Sequence, residues 1–72
     1  MTVARPRKRS VLVAGHETSV SPEPPFWNAL KKIARARGVS LNALITEIDR
    51  GRDGNLSSAL RVFVLEDLYN RR

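Results

Sequence analysis

The sequence predicts a mostly α-helical chain, one short N-terminal strand followed by three helices, assembled as an intertwined homodimer. Three observations predict it. Polar and apolar residues alternate from His16 to Pro22, apolar residues then recur at helical spacing from Phe26, and the segment after Asn55 is apolar on nearly every side. A lone strand in a chain of 72 residues has nothing nearby to pair with, and a helix apolar all round normally packs against more than one neighbour. Both features point to a second subunit.

The strand comes first. Alternation puts Thr18, Val20 and Pro22 on one face and Glu17, Ser19 and Ser21 on the other. The β-branched Thr18 and Val20 favour the extended form, and Pro22 ends it by removing an amide donor. Before it, Val11 to Ala14 is a short apolar run compatible with extended geometry and stopped by Gly15. Residues 1–10 carry Arg5, Pro6, Arg7, Lys8 and Arg9 with little apolar content, the pattern of a disordered basic arm, which leaves 11–72 as the folded domain.

The helices follow from periodicity and punctuation. Pro24 and Pro25 suit a helix start, where no intrahelical amide bond is lost. Phe26, Leu30, Ile33, Ala34 and Arg37 then share a face with Trp27 at its border, while Lys31, Lys32 and Arg35 lie opposite. Gly38 suits a left-handed cap, and Ser40 is a favoured N-cap for a second helix with Leu41, Leu44, Ile45 and Ile48 on its apolar face. The segment Gly51-Arg52-Asp53-Gly54 breaks that helix, and Asn55 caps a third running from Leu56 towards Tyr69, with Ala59, Leu60, Val62, Phe63, Val64, Leu65 and Leu68. The expected core and dimer contacts are Thr18, Val20, Phe26, Trp27, Leu30, Ile33, Leu44, Ile45, Ile48, Leu60, Phe63 and Val64.

Composition narrows the function. Thirteen Lys and Arg against seven Asp and Glu give a net charge of +6 and a pI near 11.2. That balance favours a polyanionic partner, nucleic acid ahead of an acidic protein or a membrane surface. The absence of cysteine removes disulfides and thiolate metal sites, and the single histidine, His16, forms no metal-ligand cluster, so neither metal nor cofactor is expected. No apolar run approaches the roughly 20 residues of a membrane span, and none suits a signal peptide; a cytoplasmic location is expected. A core this small commonly needs a staple, and oligomerisation is the one that remains. An enzyme is not expected. His16, Glu17 and Ser19 suggest a triad by type alone, but neighbours on one strand point to opposite faces and do not converge.

The segments AGHETSVS, FWNALKKIARARGVSLNALITEIDR and NLSSALRVFVL together resemble the ribbon-helix-helix family of DNA-binding proteins, the Arc- and MetJ-like regulators, and among them a small bacterial subfamily. The resemblance implies that the strand pairs with its own copy in a second subunit, and that the resulting two-stranded ribbon enters the major groove of double-stranded DNA. It implies that Glu17, Ser19 and Ser21 face the bases and that Thr18, Val20 and Pro22 face inward. It places Ser40 and Asn42 at a helix end that holds a DNA phosphate, a use of the helix dipole that physics independently favours. Arg7, Lys8 and Arg9 join them as phosphate contacts. Two features depart from the family pattern: Glu17 and two serines stand where Arg, Lys, Asn or Gln are common, and the 51–54 break splits what is usually one long helix. The expected function is a nucleoid-associated transcription regulator; the alternative is a dimeric, antitoxin-like module that binds a protein partner, favoured by Glu17.

Overall fold

A computed structural model describes residues 5, 7–52 and 54–70. Two strands, β1 (Arg9–Val13) and β2 (His16–Val20), precede three helices, α1 (Pro24–Arg37), α2 (Leu41–Arg50) and α3 (Leu56–Asn70). The helices and their boundaries match the sequence reading closely. Gly38 ends α1 at φ 72° and takes up two of its last carbonyls, from Ala34 and Arg35. The Ser40 hydroxyl accepts from the Ala43 amide at 3.0 Å, and the Asn55 side chain accepts from the Ser58 amide at 2.8 Å. Each cap satisfies an amide that the helix itself leaves free.

The N-terminal region differs from expectation. The strand at His16 has a partner in its own chain: β1 and β2 form an antiparallel hairpin with Val11 opposite Thr18, Leu12 opposite Glu17 and Val13 opposite His16. Ala14 and Gly15 make the turn, with φ of 51° and 81°. Positive φ at both central residues is the type I′ arrangement, whose twist suits a two-residue hairpin. The basic segment is therefore not a free arm throughout. Arg9 and Ser10 are strand residues, and the Arg7 amide donates to the Pro22 carbonyl at 3.4 Å, extending the pairing beyond β1. Residues 1–4 and Pro6, the remainder of the expected arm apart from Arg5, lie outside the described residues.

Ala14 is a strained choice for this turn. A left-handed conformation costs a non-glycine residue roughly 1–2 kcal/mol, and asparagine tolerates it best. Ala14→Asn should raise unfolding stability by about 1 kcal/mol, read as a higher urea midpoint at unchanged slope. A lowered midpoint would contradict the turn geometry.

Among the fully buried side chains, Val20, Leu30, Ile45 and Leu60 come one each from β2, α1, α2 and α3 and mark where those elements meet, and Pro22, just after β2, is buried with them. Val11, Val13, Trp27, Ile33, Ala34 and Leu44 complete the buried core, with Ile48, Phe63 and Val64 packed partly buried against it. Val11 and Val13 were not expected there. Thr18 shares their face but is exposed, and Phe26 is only half-buried and outside the cluster. Side chains fasten the helices further: Arg37 lies over the Phe63 ring at 5.1 Å and reaches Asp67 at 3.7 Å, and Arg61 reaches Glu23 at 3.4 Å. The buried face of α3 is thus satisfied by α1 and α2 of the same chain. Its opposite face leaves Val62, Leu65, Leu68 and Tyr69 between about half and two-thirds exposed.

Candidate nucleic-acid interface

A two-stranded antiparallel hairpin has two faces and two edges, and here each has a different fate. The inward face carries Val11, Val13 and Val20 into the core. The outward face carries Glu17, Ser19 and Ser21, as the alternation required, and all three are exposed. Because β1 supplies the partner strand, Ser10 and Leu12 join them, each directly opposite a β2 residue: Ser10 beside Ser19 and Leu12 beside Glu17. These two were not anticipated. Finding them requires recognising the hairpin, after which the register assigns them automatically.

One edge of the hairpin is closed by α2. In a two-residue hairpin the closing pair, here Val13 and His16, exchanges hydrogen bonds, so the Leu12 amide points away from β2. It donates to Asn42 Oδ1 at 3.3 Å, and the next outward amide, that of Ala14, donates to Thr46 Oγ1 at 3.4 Å. The spacing is geometric. Four helical residues rise about 6 Å and two strand residues about 6.7 Å, so successive turns of α2 meet alternate amides of β1. The Thr46 hydroxyl also donates to the Asn42 carbonyl at 2.8 Å, which fixes its orientation.

This clamp sets the helix end beside the ribbon. Ser40 and Asn42 are both exposed, and the Ser40 hydroxyl takes the Ala43 amide. The Leu41 and Asn42 amides, at the first two helical positions, have no intrahelical acceptor and remain available to an anion. Asn42 thus contributes its backbone amide to the helix end while its side-chain oxygen is committed to β1. Any phosphate contact from Asn42 would therefore run through its backbone amide.

The basic residues divide in the same way. Arg7 and Lys8 are exposed at the start of β1. Arg9 is partly buried, with its guanidinium over the Trp27 ring at 5.1 Å and its Nε buried without a hydrogen-bond partner. That side chain fastens β1 to α1, a structural task in place of the expected free arm. Along the solvent face of α1, Lys31, Lys32 and Arg35 are exposed and form no ion pair among the described residues. Arg50 and Arg52, by contrast, are paired with Glu47 and Asp49, and Arg52 also donates to the Gly54 carbonyl, holding the turn into α3.

His16, Glu17 and Ser19 do not converge: His16 belongs to the inward-face register and Glu17 and Ser19 to the outward one. Among the described residues no group of three or more His, Asp or Glu side chains is placed to hold a metal ion, and no helix is long and apolar enough to cross a membrane.

The family described as the ribbon-helix-helix domain matches residues 6–68, which takes in the hairpin and nearly all of the three helices. The chain belongs to the ribbon-helix-helix family. Comparison with curated proteins and with solved structures gives no match. Ribbon-helix-helix domains are typically DNA-binding and non-enzymatic, and membership gives this chain that kind of function at the same coarse level. In this ribbon-helix-helix chain both strands of the hairpin come from one polypeptide.

Proposed function

We propose that the protein is a transcription regulator of the cytoplasmic nucleoid that inserts its hairpin into the major groove of double-stranded DNA. The observation that carries this reading is the exposed outward face of a two-stranded ribbon, with the free amides of the α2 N-terminus clamped beside its edge. A two-stranded ribbon fits the major groove, and a helix N-terminus takes a phosphate. In this reading Glu17, Ser19 and Ser21 face base edges, Ser40 and the first α2 amides hold a phosphate, and Arg7 and Lys8 add phosphate contacts.

The test is a fluorescence-anisotropy titration with duplex DNA over a range of salt. Each phosphate contact contributes a slope of about 0.9 in log K against log salt. Replacing Arg7 and Lys8 together with alanine should weaken specific and random duplexes by similar factors and flatten the slope by up to about 2 per chain. A loss confined to one sequence would show that these residues read bases, and a flat salt response in the unaltered protein would exclude the reading altogether.

In this reading the protein acts as a homodimer, and the width of the groove limits how two copies can meet. Two copies joined edge to edge through β2 would form a four-stranded sheet with outer strands about 14 Å apart, against a groove about 12 Å wide. A single hairpin spans about 5 Å between strands and fits. The second copy is therefore assigned to α3, where Val62, Leu65 and Tyr69 are exposed at the three- and four-residue spacing of a helix-pairing seam. The thermal midpoint should rise with protein concentration, and Leu65→Glu should abolish that dependence and give a monomeric mass in solution. A midpoint independent of concentration in the unaltered protein would remove the homodimer. It would also favour the second reading, in which the same apolar face binds a different protein in the manner of an antitoxin.

A further inference from the structure

The outward face of the hairpin is polar with one exception. Ser10, Glu17, Ser19 and Ser21 surround Leu12, which is 51% exposed in the middle of β1. Apart from the small turn residue Ala14, no other apolar side chain stands on that face among the described residues. The backbone of Leu12 is fixed from outside the hairpin, since its amide donates to Asn42 Oδ1 of α2. A rigidly presented apolar side chain among hydroxyls and a carboxylate is a costly arrangement in water and serves nothing in the core.

We infer that Leu12 is a specificity-determining residue that packs on the 5-methyl group of a thymine in the major groove. This rests on the reading of the hairpin as a groove-inserted ribbon. The thymine methyl is the one apolar group the major groove presents, and it distinguishes thymine from every other base there. Within β1 and β2 the outward face carries no Arg or Lys, which suit guanine, and no Asn or Gln, which suit adenine; Lys8, which continues the register opposite Ser21, is the basic residue at the open end of the ribbon. The residue opposite Leu12 is Glu17, whose carboxylate accepts from the cytosine amino group. Directly opposed residues of a ribbon lie roughly 4.5–5.5 Å apart, between one and two of the 3.4 Å steps between bases on one strand. The site should therefore hold a thymine within two base steps of a cytosine.

The test begins with a duplex selected from a random pool by the unaltered protein, in which thymines are replaced one at a time by deoxyuridine. The replacement removes a methyl group and nothing else. Burying one methyl group is worth about a fourfold change in affinity, so at one position, within two base steps of a cytosine, deoxyuridine should weaken binding about fourfold. Leu12→Ala should bind the thymine duplex more weakly by a similar factor and should not distinguish thymine from deoxyuridine at that position. Leu12→Thr, which keeps a strand-forming side chain, is measured beside it to separate any loss of folding. If the protein selects a sequence but every deoxyuridine duplex binds as tightly as its parent, or if Leu12→Ala still discriminates, Leu12 does not read thymine while the groove-reading ribbon stands. If no sequence is selected, or no duplex binds, the ribbon reading and the role of Leu12 fall together.

Discussion

Ser40→Asp should leave the protein folded and weaken its binding to duplex DNA on the order of 10- to 100-fold, the equivalent of losing a hydrogen bond to a charged group. The observed cap and the proposed phosphate contact make different demands on the Ser40 side chain. As an N-cap its oxygen accepts from the Ala43 amide at 3.0 Å, and aspartate performs that task as well as serine. As part of a phosphate cradle it must tolerate a second anion close by, and a carboxylate at the same place repels it. Ser40→Gly is the control: it keeps the free Leu41 and Asn42 amides, costs only a few tenths of a kcal/mol as a cap, and should weaken DNA binding modestly. Thermal melts establish folding and anisotropy reads affinity. Affinity in Ser40→Asp equal to that of the unaltered protein would take this helix end out of the interface.

Trp27→Ala should lower the unfolding stability by about 3–5 kcal/mol, a large fraction of the total, and bring the urea midpoint down steeply. Truncating a buried tryptophan costs about 3–5 kcal/mol, and a chain of this length has about 4–11 kcal/mol in total. Trp27 is 7% exposed, so nearly the whole ring is lost from the core, and the Arg9 guanidinium that lies over it loses its platform. Arg9→Ala removes only that stacking, worth about 0.5–2 kcal/mol, and should remain folded with a lower urea midpoint. Circular dichroism distinguishes the two outcomes. A folded Trp27→Ala chain with a midpoint like that of Arg9→Ala would show that β1, not the indole, carries the stability of this corner.

The helices were legible because their signals are local. Pro24 and Pro25, the apolar stripe from Phe26, Gly38, Ser40 and Asn55 each fix a boundary through the chemistry of a few neighbouring residues. The hairpin was not legible, for three physical reasons. Its turn is Ala14-Gly15 in place of the Asn-Gly or Asp-Gly that normally announces positive φ at both positions. Its first strand opens on Arg9 inside a basic run whose composition resembles disorder, although Arg9 turns inward onto Trp27. Val11, Leu12 and Val13 read as an unbroken apolar run, and only the burial of Val11 and Val13 against the exposure of Leu12 restores the alternation. The outward face was consequently half visible: Glu17, Ser19 and Ser21 follow from period two alone, whereas Ser10 and Leu12 depend on a register. The clamp from Asn42 and Thr46 was out of reach for a deeper reason, since it joins positions 30 and 32 residues apart and nothing local to either marks it.

A hairpin closed within one chain changes how a regulator responds to its own scarcity. Where two chains each lend one strand, the reading element vanishes when they separate, and occupancy collapses steeply on dilution. In the reading proposed above, every copy carries the whole of it, because both strands lie between Arg9 and Val20 of one chain. Separation would remove only the gain from tethering two readers on one duplex, which commonly amounts to roughly 100- to 10,000-fold in avidity. A lone copy would retain weak hold on half of a site, and its response to falling concentration would be graded, with doubly occupied sites yielding to singly occupied ones before the DNA is bare.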